Sequence, residues 1–200
     1  MVTTLYLIRH GETEGSEVKR YKGSIDVPLS EKGIRQIKRA SDFIKDKLTA
    51  VYCSPLSRAL KSAEIISEPH GLKPVVIHGI RERSFGIWEG MSFDEIKEKY
   101  PEEFEAWADN PLKYNPVEGE STIEVRDRVI RALDMILNNH NDEHIAIIAH
   151  GGVNRIILCH IMGIPLENIF RIEQDNAAVN IIEFWEKYPI VKLLNGGLIG

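Results

Sequence analysis

Cysteine is scarce in this 200-residue chain: only Cys53 and Cys159 occur, one in a strand-like and one in a helix-like apolar stretch. Two thiols cannot staple a scaffold, and no Cys/His spacing of the usual zinc type is present, so two buried free thiols in a reducing cytoplasm are expected. Basic residues are outnumbered, with 25 Lys and Arg against 30 Asp and Glu and a formal net charge of −5. A chain without a basic excess is a poor nonspecific nucleic-acid binder, and no nucleic-acid partner is expected. Long apolar runs are missing too. Leu5-Tyr6-Leu7-Ile8 is too short for a signal-peptide core, and no segment approaches the roughly 18 apolar residues of a spanning helix. A cytoplasmic protein without a membrane partner follows as the expectation. There is no internal repeat and no low-complexity tract, and the length fits a single domain, 1–200. An anionic ligand would have to be captured by a local cationic cluster against this acidic background.

What is present is ordinary globular material, 43% apolar and 28% charged, in which strand-like and helix-like segments alternate. Residues 3–9 read as a strand, followed by a Gly-rich polar loop to Pro28. Ser30 has the character of an N-cap, and Ile34, Ile37, Ile44 and Leu48 fall on one helical face beyond it. A short strand at 49–53, a helix at 55–68 with Pro55 in its first turn, and a third strand at Val75-Val76-Ile77 come next. Residues 92–109 predict two short helices broken at Pro101, then a loop from Asn110 to Gly119. A helix over about 121–138 turns Val129, Ile130, Leu133, Ile136 and Leu137 inward. Ile145-Ala146-Ile147-Ile148-Ala149 is the uninterrupted apolar run of a strand covered on both faces, 151–162 is helical, and 177–185 and 189–194 are final strands. The alternation predicts an α/β fold, a three-layer α/β/α sandwich around a mainly parallel central sheet.

In such sheets ligands sit beyond the carboxyl ends of the strands. Three places answer that rule: Arg9-His10-Gly11, Ser54 to Arg58, and His150-Gly151-Gly152. Each carries a group suited to phosphate. Arg9 offers a planar fork of donors, and Arg58 lies near a helix start, where the macrodipole also favours an anion. His150 leads into a Gly-Gly helix entry, and a ring nitrogen of His10 is a candidate nucleophile, with Gly11 letting substrate approach the backbone closely. The clustered cations should also keep the attacking nitrogen of His10 unprotonated.

Leu7-Ile8-Arg9-His10-Gly11-Glu12-Thr13 resembles the signature of the histidine phosphatase superfamily, the phosphoglycerate-mutase-like fold. Pro28 to Gly33 resembles that family's first-helix entry, Ser54 to Ala59 its second arginine motif, and Ala149-His150-Gly151-Gly152 its second histidine motif. Ile80-Arg81-Glu82-Arg83, with Phe85-Gly86 and Trp88-Glu89-Gly90, resembles the acid-bearing segment. The resemblance implies that His10 is transiently phosphorylated and that Arg9, Arg58 and His150 hold the transferring group. It implies that Glu82 protonates the leaving oxygen and then activates water, with no metal and no cofactor. Gly151, Ser16 and Arg83 are candidate substrate contacts. Ser16 stands where the family often has asparagine, and Arg83 matches a mutase substrate arginine. Glu12 is expected to balance charge or orient Arg9.

The same framework serves phosphatases and phosphoglycerate mutases. Residues 91–120 contain no arginine, Phe93 stands where the mutase lysine aligns, and Phe85 replaces the usual tyrosine, so hydrolysis of a small-molecule phosphate monoester is preferred to mutase-type phosphotransfer. A noncatalytic phospho-ligand binding module is disfavoured, because nucleophile and acid are both retained. The segment Tyr21 to Leu29 and Gly119-Glu120-Ser121 resemble α-ribazole-5′-phosphate phosphatases, motifs shared with broad-specificity relatives. Residues of about 84–120 read as a small cap. Within it Phe85, Trp88, Phe93, Trp107 and Tyr114 either wall a leaving-group pocket or pack the short helices. His140 and His144 are expected to face water, His78 to stay away from the site, and a homodimer is left open.

Overall fold

The computed structural model describes residues 2–18, 20–186 and 188–197. Six strands form one sheet: β1 (Val2–Arg9), β2 (Ala50–Cys53), β3 (Val75–Val76), β4 (His144–Ala149), β5 (Val179–Trp185) and β6 (Tyr188–Gly196), in the order β3-β2-β4-β1-β5-β6. β3, β2, β4 and β1 pair in parallel, while β5 runs antiparallel to both β1 and β6. Helices α1 (Glu31–Phe43) and α2 (Ser57–Ser67) cover one face, and α5 (Thr122–Leu137) and α6 (Gly151–Met162) cover the other. Two short helices, α3 (Phe93–Lys99) and α4 (Pro101–Asp109), lie between β3 and α5 in the chain. The fold is the expected α/β/α sandwich, with a mainly parallel sheet.

Side chains alternate across a pleated strand, so a strand covered on both faces must be apolar throughout. In β1, Leu5 and Leu7 pack towards α5 and α6, and Tyr6 and Ile8 towards α1 and α2. In β4, Ile145, Ile147 and Ala149 take the first side and Ala146 and Ile148 the second. Helix starts follow local chemistry: the Ser30 hydroxyl accepts from the Gly33 N–H, and Ser121 with Glu124 forms a reciprocal capping box. Ile37, Ile44 and Leu48 are buried as expected, although α1 itself ends at Phe43. α2 starts at Ser57, which leaves Pro55 ahead of the helix instead of in its first turn. Both thiols are free and buried. Among the described residues no helix is long and apolar enough to cross a membrane.

Candidate active site

The sheet register brings the motif ends together. Arg9 at the end of β1 stands beside Ala149 at the end of β4, and the His10 N–H donates to the Ala149 carbonyl at 3.0 Å. His10 and His150 therefore leave adjacent strands side by side, ring centroids 5.1 Å apart. The Ser54 N–H, beyond β2, donates to the Ile148 carbonyl at 3.1 Å, which brings the third strand end to the same place. The Ser54 hydroxyl meets Nε2 of His150 at 2.7 Å.

Nδ1 of His10 lies 2.7 Å from the Gly11 carbonyl. A carbonyl only accepts, so Nδ1 carries the proton and the neutral ring leaves Nε2 bare. Burial first, then the charges of Arg9 and Arg58, hold the pKa of His10 well below its ordinary value of 6.5, with Lys22 acting in the same direction. His150, fully buried, is depressed likewise by burial and by His10, Arg58 and Arg9. The free protein thus keeps both imidazoles neutral at neutral pH.

The arginines are fixed through part of their donor set. Arg9 donates one Nη1 bond to the Gln174 carbonyl at 2.5 Å, and Arg58 holds the carbonyls of Ile25 and Gly23, each at 2.7 Å. Nε of Arg9 and Nδ1 of His150 are buried without a hydrogen-bond partner among the described residues. Unpaired buried polar atoms are costly in a finished interior, and here two of them belong to the residues next to His10 in sequence and across the sheet.

Glu89 lies near Glu82 in sequence, but its carboxylate is used differently. The Glu89 carboxylate is occupied by the Ser24 N–H and hydroxyl and by the Phe85 N–H. Glu82 accepts from the Arg83 N–H at 3.0 Å and the Gly152 N–H at 3.3 Å, and it lines two adjoining cavities. One, of about 510 Å³, holds Arg9, His10, Ser16, Lys22 and Arg58. The other, of about 450 Å³, is largely apolar, with Phe85, Trp107, Val125, Ile156, Ile169 and Phe170. Arg9, Tyr21, Glu82, Phe85 and Arg155 belong to both.

Gly151 and Arg83 line the apolar cavity. Three of the Arg83 donors go to Glu120 O, Thr122 Oγ1 and Tyr114 O, so much of its guanidinium holds the loop before α5. Ser16 reaches the cationic cavity, but its hydroxyl donates to the Thr13 carbonyl at 2.6 Å. Lys22, which the sequence reading passed over, donates to Ser16, Thr13 and the Glu14 carbonyl at that rim. Arg155 was missed too, although its i, i+4 spacing from Gly151 on a helix puts the two on one face.

Some expectations need correction. A Cβ on Gly11 would meet the Gly33 carbonyl at 2.4 Å, so the close approach that Gly11 permits is to the backbone at the start of α1. Glu12 binds Lys32 and Ser30 and does not orient Arg9. The aromatic residues divide: Phe85 and Trp107 wall the cavity, whereas Trp88 stacks on Tyr114 and Phe93 packs on Phe104. His140 does not face water, because Tyr52 and Glu143 enclose it with a side chain only 10% exposed. His78 lines neither cavity.

Two histidines and two arginines at the carboxyl ends of a mainly parallel sheet define the phosphoglycerate-mutase-like class of α/β protein. The family model of the histidine phosphatase superfamily (branch 1) matches residues 5–196, and the chain belongs to that superfamily. Phosphoserine phosphatase 1 of Hydrogenobacter thermophilus is 33% identical over 192 residues, 96% of this chain and 91% of that protein. The adenosylcobalamin/α-ribazole phosphatase of Escherichia coli is 26% identical over 197 residues, 98% of this chain and 97% of that one. The crystal structure of the α-ribazole phosphatase from Shigella flexneri is similar with a TM-score of 0.90 at 27% identity, covering 98% of each chain.

Proposed function

We propose that the chain is a metal-independent phosphatase that hydrolyses small-molecule phosphate monoesters through a phosphohistidine on His10. The observation that carries this reading is the bare Nε2 of His10, fixed by the Nδ1 bond to Gly11, with unpartnered nitrogens on neighbouring Arg9 and His150. A phosphoryl group seated there is matched by the positive charge of Arg9, Arg58 and Lys22 and can accept the Arg9 Nε–H. Its charge also favours the protonated form of His150, which can then donate from both ring nitrogens, with the Ser54 hydroxyl accepting one bond.

In the first step Nε2 attacks phosphorus, the ester P–O bond breaks, and Glu82 gives its proton to the departing oxygen. In the second, water attacks the phosphohistidine, Glu82 takes the water's proton, and the N–P bond breaks to release phosphate and restore His10. Glu82 is supported in this role by its place on the wall shared by the two cavities. The leaving group then extends into the apolar cavity, and residues 84–120 act as a cap that contributes Phe85 and Trp107 to its wall. An apolar, aromatic-lined chamber suits a bulky leaving group such as the aromatic base of α-ribazole 5′-phosphate better than it suits the small, doubly charged serine of phosphoserine. Mutase-type phosphotransfer is disfavoured because residues 91–120 contain no arginine and Phe93 stands where the mutase lysine aligns.

The decisive experiment follows turnover of an aryl phosphate in excess chelator, beside the His10→Ala variant. Sustained turnover by the native chain, lost by at least about 10³-fold in the variant, is expected. Dependence on added metal, or an active His10→Ala variant, overturns the reading. A screen of α-ribazole 5′-phosphate against phosphoserine then decides the leaving group.

A further inference from the structure

Residues 81–85, which carry Glu82, form neither strand nor helix. Backbone polar groups in such a stretch need partners from elsewhere. Arg128, in the middle of α5, supplies them. Its Nη1 donates to the carbonyls of Gly79 at 2.9 Å and Arg81 at 2.7 Å, and its Nη2 to that of Glu82 at 3.2 Å. Nε and the remaining Nη2 hydrogen bind the two Glu120 oxygens at 2.8 and 2.9 Å. All five N–H donors of the guanidinium are thereby used.

Glu120 completes the clamp from the other side. Its Oε2 accepts the Ser84 N–H at 3.0 Å and its Oε1 the Arg81 guanidinium at 2.8 Å. Burial pushes the Glu120 pKa up, but the bonds from Arg128 and Ser84 and the charges of Arg128 and Arg81 bring it below its ordinary value, so it stays a carboxylate. The segment is pinned at residues 79, 81, 82 and 84, on both sides of the Glu82 side chain. The Arg128 and Glu120 side chains are only 11% and 17% exposed. A pair so buried is a weak source of net stability, because desolvation offsets the attraction, but its fork geometry fixes direction.

We propose that Arg128, with Glu120 as its counter-ion, is the positioning residue for Glu82: it aims the carboxyl at the leaving oxygen by holding the carbonyls around it. This rests on Glu82 as proton donor. General acid catalysis matters most when the leaving group is a poor anion, so misplacing Glu82 should harm alkyl esters selectively.

The test compares p-nitrophenyl phosphate, whose anion departs unaided, with glycerol phosphate, whose alkoxide needs a proton, in native, Glu82→Gln, Arg128→Ala, Arg128→Lys and Glu120→Gln proteins. For Arg128→Ala, kcat/KM, which reports only the steps up to phosphorylation of His10, is expected to fall roughly 10²-fold on the alkyl ester and by less than about threefold on the aryl ester, matching Glu82→Gln in kind. Combining Arg128→Ala with Glu82→Gln should add little to the loss on the alkyl ester. Should the alanine variant fail to fold, Arg128→Lys and Glu120→Gln carry the same comparison. Equal losses on both esters, beside a selective Glu82→Gln, overturn the positioning role and leave Glu82 standing. An unselective Glu82→Gln overturns the proton-donor reading and this inference with it.

Discussion

Arg9, His10, Ser54 and His150 hang from the ends of three neighbouring strands, whereas the apolar cavity beside them is walled mainly by loop segments and helix faces. Arg9, His10, Ser54 and His150 are placed by the β1–β4–β2 register, where a one-residue slip would reverse every side chain. Phe85, Trp107 and Phe170 come from an irregular segment, a short helix and a 3-10 turn. On the proposed reading, a site divided in this way separates its tasks: the sheet determines whether phosphorus is attacked, and the wall determines what leaves. Glu82 stands on the boundary, which explains why its backbone needs a clamp that the sheet cannot provide.

Substitutions on either side should therefore differ in kind. The largest expected effect after loss of the nucleophile is Arg58→Ala. It removes a buried cation that, on the proposed reading, lies beside the transferring group, and it frees the carbonyls of Gly23 and Ile25. A fall of about 10²–10³ in kcat/KM is expected, of similar size for aryl, alkyl and bulky esters alike. Steady-state kinetics on three such esters checks it, and a loss confined to one ester would break the division proposed here.

Trp107→Ala should be smaller and selective. Removing an aromatic wall takes apolar contact from a bulky leaving group and nothing from a compact one. KM for an aromatic nucleotide-like ester is expected to rise about tenfold, with kcat nearly constant, while glycerol phosphate is unaffected. A uniform change across substrates would mean that Trp107 supports the fold through its contacts with Trp88 and Phe104 instead.

The two regions also differ in how far the sequence revealed them. The strand ends were legible because continuous apolar runs mark central strands and the ligand rule points past their tips, which brings out Arg9, His10, Arg58 and His150. The Ser30 and Ser121 caps follow from short-range chemistry. The clamp on Glu82 was not legible. It joins Arg128 to carbonyls 46 to 49 residues away, and any residue presents the same carbonyl. Lys22 was hidden in a loop whose path no periodicity dictates. Gly11 suggested a close approach by substrate, whereas the backbone of Gly33 is what approaches it. The aromatic residues of the cap offered equal arguments for packing and for lining, and only three-dimensional contacts divide them.

The gentlest probe of the comparison is acidity. Burial, reinforced by neighbouring cations, lowers the pKa of His10 and His150 well below 6.5 in the folded protein, while the unfolded chain has no such restraint. Above pH 6.5 neither state binds these protons, and the sites contribute fully to stability. As pH falls through that value the unfolded chain takes up protons that the folded one resists, so stability is lost on the acid side. The same sign governs activity: the limb of kcat/KM due to protonation of His10 should lie below pH 6.5, and Arg58→Ala, by removing a repelling charge, should move it upward. Thermal unfolding between about pH 7 and 5 in dilute, phosphate-free buffer tests the linkage. The fall in Tm should be shallower in His10→Asn than in the native protein and unchanged in slope in Trp107→Ala. Equal slopes in all three would mean that the strand-end histidines do not carry the acid sensitivity, and that the cationic cavity is less dry than its burial implies.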